Sequence, residues 1–175
     1  IGAIDTSHPL SLGLIARNGT YPANHAARQA DVLLALGVRF DDRTSSSWLP
    51  GYSFNIPPTK LIHVDIDPEE IARNYPVALG LMADVKIFLG QGLAEMDARK
   101  AANEIPAAPE TWLRDIDGWS NEWEEWTAPG YQVDTTPIHP QRAAHEIDKV
   151  LPDDAIVVSD VGIHHNWLIQ YCRPK

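Results

Sequence analysis

The sequence predicts an α/β fold, a parallel sheet flanked by helices, and three observations carry that prediction. Val32-Leu33-Leu34-Ala35-Leu36 is an unbroken apolar run, and Leu61-Ile62-His63-Val64 and Ala155-Ile156-Val157-Val158 come close to it. Runs without alternation read as strands covered on both faces. Helical segments separate the later strands, as parallel pairing requires. Gly or Asp follows several strand ends, at Gly37, Asp65 and Ala83-Asp84. Ligands of open α/β sheets bind at that carboxyl edge.

The elements follow in order. Residues 1–19 are rich in Gly, Ser, Pro and Asn and read as loop. Asn24–Gln29 reads as a short helix opened by an Asn cap. Asp31–Leu36 is the first strand. Asp41–Thr59 holds Ser45-Ser46-Ser47, Pro50-Gly51 and Pro57-Pro58 and reads as a long loop. Loops of that length in compact domains are often functional. Lys60–Ile66 is the second strand. Asp67-Pro68-Glu69-Glu70 has the form of a helix start, with an Asp cap, Pro at the first position and carboxylates in the first turn. Ala78–Met82 is a short third strand. Asp84 caps a helix running to about Met96, with Val85, Ile87, Phe88, Leu89 and Leu93 on its apolar face.

Composition shifts after Arg99. Ala101–Pro109 is an Ala/Pro-rich linker. Thr111–Trp126 carries Trp112, Trp119, Trp123 and Trp126 on one helical face, a pattern that suits packing better than ligand binding. Thr127–Pro137 is a second linker, and Pro140–Val150 a helix with Pro at its start. Ala155–Ser159 reads as another strand, and Gly162 leads into a helix beginning near His164.

The chain has 175 residues, enough for one domain and part of another, and a formal net charge of -10. That charge argues against nucleic acid and anionic membranes as partners, since both reward basic surfaces. No apolar run approaches the roughly 20 residues that span a bilayer. Cys172 is the only cysteine, so no internal disulfide forms, and it has no evident activating partner. A cytoplasmic setting fits. The first residue is Ile1, which makes a piece of a longer polypeptide the expectation.

Leu36-Gly37-Val38-Arg39-Phe40-Asp41-Asp42-Arg43 concentrates glycine and charge at the first strand end. Glycine permits close backbone approach to a ligand, and Arg offers a planar fork to phosphate. The competing reading is a solvated loop. Asp65 has the position of an acid that holds a ribose or ribityl hydroxyl, and Asp84 divides between that role and a helix cap. His164 and His165 are adjacent and point in different directions, which disfavours one shared metal. A place near a phosphate at a helix start suits them better. Gly-x-Gly-x-x-Gly and Walker sequences are absent.

Several segments together resemble the acetohydroxyacid (acetolactate) synthase family of thiamine-diphosphate enzymes. They are His8-Pro9-Leu10-Ser11-Leu12-Gly13, Gly19-Thr20-Tyr21-Pro22-Ala23-Asn24, Ala30 through Arg43, and Leu61-Ile62-His63-Val64-Asp65-Ile66-Asp67. Ala83-Asp84-Val85 and Ser159-Asp160-Val161-Gly162-Ile163-His164 complete the set. The resemblance implies three α/β domains in the parent. Residues 1–100 would be most of the central domain, without its first strand-helix-strand unit. Residues 101–137 would be a linker with a Trp-rich helix, and 138–175 the start of the diphosphate-binding domain. The catalytic glutamate and the Gly-Asp-Gly to Asn magnesium segment would lie outside this chain, which alone would be inactive. Neither a catalytic nor a metal-ligating residue is therefore assigned in it.

By the same resemblance the cofactors are thiamine diphosphate, Mg²⁺ and FAD. Ile15 to Asn18, hence Ala16, Arg17 and Asn18, would run along the flavin. Gly37, Val38, Arg39, Asp41 and Arg43 would meet its ribityl and diphosphate portion. Asp65, Ile66, Glu70, Asp84 and Val85 would surround the adenosine end. Val161, Gly162 and His164 would wall the thiamine diphosphate. The family carries Gly-Met-His where this chain has Ala16-Arg17-Asn18, and Gln where it has Ile163. Implied partners are a 2-keto acid, the pyrimidine-binding domain of the same polypeptide, and further copies in a homodimer or homotetramer. Two alternatives stay open: a flavin-free thiamine-diphosphate decarboxylase or acetyltransferase, and a non-catalytic nucleotide-binding module.

Overall fold

A computed structural model describes residues 4–173. They pack as two compact units, divided between Ala26 and Ala27 and again between Leu113 and Arg114. One unit is Ala27–Leu113; the other comprises the chain on either side of it.

The Ala27–Leu113 unit is built on a three-stranded parallel sheet, β1 (Val32–Leu36), β2 (Lys60–Asp65) and β3 (Leu79–Met82), in that order. Leu36 stands beside Val64, and Asp65 beside Met82, so the three strands end level with one another. The core on one face gathers Ala27, Ala35, Phe40, Phe54, Ile56, Leu61 and Tyr75. The rings of Phe40, Phe54 and Tyr75 meet edge to face at 5.3–5.9 Å, the geometry that aligns ring edges with ring faces. The other face differs from the expectation of a strand covered on both sides. Val32 and Leu34 are about half exposed, at 51% and 49%, so the described residues cover that face of β1 only in part.

Helix α1 (Tyr21–Gln29) begins three residues before the expected Asn24. Thr20 closes its first turn, its carbonyl accepting from the Asn24 N–H at 3.1 Å. Asn24 is not a cap. Its side chain reaches back to the Ala16 backbone, accepting from the Ala16 N–H at 2.7 Å and donating to the Ala16 carbonyl at 3.1 Å.

The helix expected to start at Asp67 does not form. Residues 68–75 are turns and bends. The Asp67 carboxylate accepts from the Glu69 N–H at 2.9 Å, as a cap would. Propagation then fails at Ala72, whose φ of +62° lies in the left-handed region. Asp84 does cap helix α2 (Val85–Ala101), accepting from the Ile87 N–H at 3.1 Å. That helix runs five residues past Met96, and Ile87, Leu89, Leu93 and Met96 are exposed rather than covered.

The second unit holds most of helix α3 (Glu110–Thr127), with α4 (Pro140–Val150) and α5 (Ile163–Tyr171). Its core joins Trp123, Ala144 and Tyr171, with Tyr21, Tyr131 and Trp167 packed around them. Trp123 stacks on Tyr171 at 5.9 Å, and Trp167 on the same ring at 5.7 Å. The tryptophan face of α3 is thus a packing face up to Trp123, while Trp126 is exposed. The stretch expected as a linker after Thr127 contains a 3-10 turn over Ala128–Gln132. Gln141 lies so close over Gly130 that any side chain there would collide with it.

The strand expected at Ala155–Ser159 is absent. The segment is irregular, with Ile156 90% and Val158 88% exposed. An apolar extended segment becomes a strand only beside another strand, and the described residues offer it none. Cys172 is buried, and burial followed by the neighbouring Asp148 pushes its thiol up to about 11. So high a value keeps it protonated and slow to react.

Candidate functional site

The level strand ends of the Ala27–Leu113 unit form the candidate site. Gly37 follows β1 with φ +59°, a conformation glycine adopts without penalty. Its N–H donates to the Val64 carbonyl at 2.8 Å, which carries β1–β2 pairing one residue past the strand. The Ala83 N–H donates to the Asp65 carbonyl at 3.0 Å and does the same for β2 and β3. Backbone pairing alone therefore brings Gly37, Asp65 and Asp84 to one edge. Val85, half-buried in the first turn of α2, lies within ordinary contact distance of a Cβ built on Gly37.

Charge is arranged unevenly there. Glu70 is buried, with only 8% of its side chain exposed, and lies between two guanidinium groups. Arg73 binds it closely at 2.7 Å, while the Arg39 Nε stands at 3.7 Å. Arg39 itself is 75% exposed. Glu70 is thus neutralised chiefly by Arg73, and the fork of Arg39 stays open to solvent. Asp65 is buried and accepts from the Asp67 N–H at 2.9 Å. Ile66 is exposed.

Asp41 does not reach outward as a ligand group would. Its carboxylate accepts from the N–H groups of Arg43 at 2.9 Å and Thr44 at 2.8 Å, fixing the turn that follows. The Thr44 backbone bond is the largest cause holding the Asp41 carboxyl below its usual range; desolvation opposes it, and the Thr44 hydroxyl and Arg43 lower it further. Arg43 is exposed. Beneath the edge, burial raises the Tyr75 hydroxyl, with Ser45 acting against it. Ser46, Ser47 and Trp48 all have φ between +51° and +57°, a strained run for non-glycine residues.

Sequence reasoning named Gly37, Val38, Arg39, Asp41, Arg43, Asp65, Ile66, Glu70, Asp84 and Val85, and all of them belong to this unit. It missed Arg73, and also His63, Trp48 and Asn74, whose side chains hydrogen-bond the backbone on either side of Arg39. Strand alternation carried one signal: Leu61, His63 and Asp65 share a face.

The other named residues lie in the second unit. Ala16 is buried and left-handed at φ +78°, Arg17 is exposed, and the Asn18 carbonyl accepts from Gln170 at 3.3 Å. Val161, Gly162 and His164 are exposed at the start of α5. The His164 ring packs over Gly162, where a Cβ would fall 2.5 Å from it. Among the described residues no three His, Cys, Asp or Glu side chains gather to hold a metal ion, and no helix is long and apolar enough to cross a membrane.

Residues 1–92 match the family model described as "Thiamine pyrophosphate enzyme, central domain". The chain belongs to the thiamine pyrophosphate enzymes. Within them it is similar to acetolactate synthases. It is 37% identical to "Probable acetolactate synthase 2, chloroplastic" of Oryza sativa subsp. japonica, over 100% of this chain and 26% of that protein. It is 34% identical to "Acetolactate synthase 1, chloroplastic" of Zea mays, over 100% and 26%. It is 30% identical to "Probable acetolactate synthase large subunit" of Methanococcus aeolicus, over 99% and 29%. The chain thus spans less than a third of the length of these relatives.

Proposed function

We propose that this chain is the flavin-binding central part of a thiamine-diphosphate enzyme that decarboxylates a 2-keto acid and joins the product to an acceptor. Residues 1–100 are the central domain, 101–137 the linker, and 138–175 the start of the diphosphate-binding domain. The carrying observation is the sheet edge of the Ala27–Leu113 unit. An exposed Arg39 fork stands there beside the buried carboxylates Asp65 and Glu70, next to a left-handed Gly37. This donor set suits a dinucleotide: a guanidinium for diphosphate oxygens and carboxylates for sugar hydroxyls.

Arg39 binds and orients the FAD diphosphate, and Gly37 and Val38 let it approach the backbone. Asp65 and Glu70 take its hydroxyl-bearing end, with Asp84 and Val85 beside them. Ala16, Arg17 and Asn18 follow the flavin. Val161, Gly162 and His164 contribute one wall for thiamine diphosphate. That cofactor, when bound, supplies the electron sink for decarboxylation. Mg²⁺ takes its ligands from elsewhere in the polypeptide, as does the pyrimidine-binding domain, and the enzyme works as a homo-oligomer.

The absorbance spectrum of the purified full-length protein tests the flavin part. Bound FAD gives a yellow protein whose flavin is released on denaturation. A colourless protein that takes up no added FAD removes the claim and leaves the flavin-free decarboxylase or acetyltransferase reading. In a flavin-binding protein, Arg39→Ala weakens FAD by about tenfold or more, the scale of a charge-assisted hydrogen bond.

A further inference from the structure

Arg39 is flanked by two carbonyls, those of Val38 and Phe40, and both accept hydrogen bonds from side chains. His63, almost wholly buried on β2, meets the Val38 carbonyl through Nε2 at 3.0 Å. A carbonyl oxygen only accepts, so Nε2 carries the proton. The Trp48 indole N–H donates to the Phe40 carbonyl at 2.7 Å, and the Asn74 amide donates to the same oxygen at 2.8 Å. The Phe40 ring points down into the core, edge-on to His63 at 5.4 Å. Between these fixed points the Arg39 side chain is exposed, with a single long ion pair to Glu70 at 3.7 Å. The carbonyls on either side are thus each hydrogen-bonded to a side chain, while the guanidinium stays open to solvent.

We propose that His63, Trp48 and Asn74 are positioning residues that present Arg39 to the phosphate of a dinucleotide ligand at the sheet edge. The proposal rests on the flavin-binding reading. A guanidinium pairs with phosphate through two parallel bonds, so its approach direction matters. A backbone fixed in advance leaves less to be ordered on binding. Removing the donor of the buried His63 takes away the hydrogen bond that fixes the direction of the Val38 carbonyl.

The test uses the full-length protein and FAD titration followed by flavin fluorescence. His63→Phe keeps the aromatic bulk and removes the donor; His63→Gln keeps a donor. His63→Phe raises the FAD Kd about tenfold and His63→Gln by no more than about threefold, on the scale of one buried hydrogen bond. The deciding measurement repeats His63→Phe in an Arg39→Ala background. There it changes Kd by less than about twofold, because its effect runs through Arg39. Trp48→Phe, which removes one indole donor, gives the same pattern if His63→Phe does not fold. An equal loss with and without Arg39 makes the clamp merely structural and overturns the proposal, as does wild-type affinity in both donor-free variants. A wild-type protein that binds no FAD instead sinks the flavin reading, and this proposal with it.

Discussion

At the scale of single residues, backbone conformation and local hydrogen bonds decide more than side-chain identity suggests. Ala16 occupies a left-handed conformation that costs an L-residue roughly 1–2 kcal/mol, and Asn24 holds it there. Glycine adopts this conformation freely. Ala16→Gly is therefore expected to stabilise the protein slightly, by less than ~1 kcal/mol once the added freedom of the unfolded chain is subtracted. Chemical denaturation checks it, and a clear loss of stability would contradict it. Asp41 carries a pH dependence of definite sign. Its carboxyl lies below its ordinary 3.8 in the folded state. The stabilisation is complete above that value and disappears as pH falls through the lower, folded one. Asp41→Asn still accepts the two N–H bonds but cannot titrate. Its melting temperature should decline less steeply than wild type between about pH 5 and pH 2. That the octet at residues 36–43 closes a parallel strand was legible in the sequence, because glycine and charge follow an unbroken apolar run. The inward turn of Asp41 was not, since only geometry separates a carboxylate serving its own backbone from one awaiting a ligand.

At the scale of elements, most of the secondary structure could be read from periodicity and caps. Asp84, Pro140 and Gly162 mark helix starts where the sequence placed them. The failures share a cause. Asp67-Pro68-Glu69-Glu70 has every local mark of a helix start, yet a left-handed Ala72 ends it within a turn. Ala155–Ser159 has the composition of a strand and no partner to pair with among the described residues. Local preference proposes an element; neighbours decide whether it persists. The tryptophan pattern of α3 was legible because its spacing fixes a face, and Trp123 packs against Tyr171 on that face. Trp123→Ala should cost roughly 3–5 kcal/mol, measured by denaturation followed through the near-ultraviolet signal of the aromatic cluster. A cost under ~1 kcal/mol would mean that the ring contributes little to that core.

At the scale of the whole molecule, apolar exposure is the dominant fact. Val32 and Leu34 on β1, Ile87 and Leu93 on α2, and Ile156 and Val158 before α5 all face solvent. Apolar surface on that scale binds other apolar surface. The chain also spans less than a third of its relatives' length. Expressed alone, it should bind a fluorescent hydrophobic dye strongly and self-associate. The full-length polypeptide should bind far less dye per mole. Equal binding by both would show that this surface stays open in the parent. These exposed positions explain why the sequence promised strands covered on both faces: the residues are suited to a covering that the described chain does not itself supply.

The Trp48 indole, anchored by its nitrogen to the Phe40 carbonyl one residue from Arg39, turns the site into its own optical instrument. Indole emission overlaps flavin absorption, so a flavin settling at that edge drains excitation from Trp48 by energy transfer. The other five tryptophans set a background that Trp48→Phe isolates by subtraction at FAD concentrations that saturate both proteins. Arrival of the ligand could then be timed by light in the unlabelled protein.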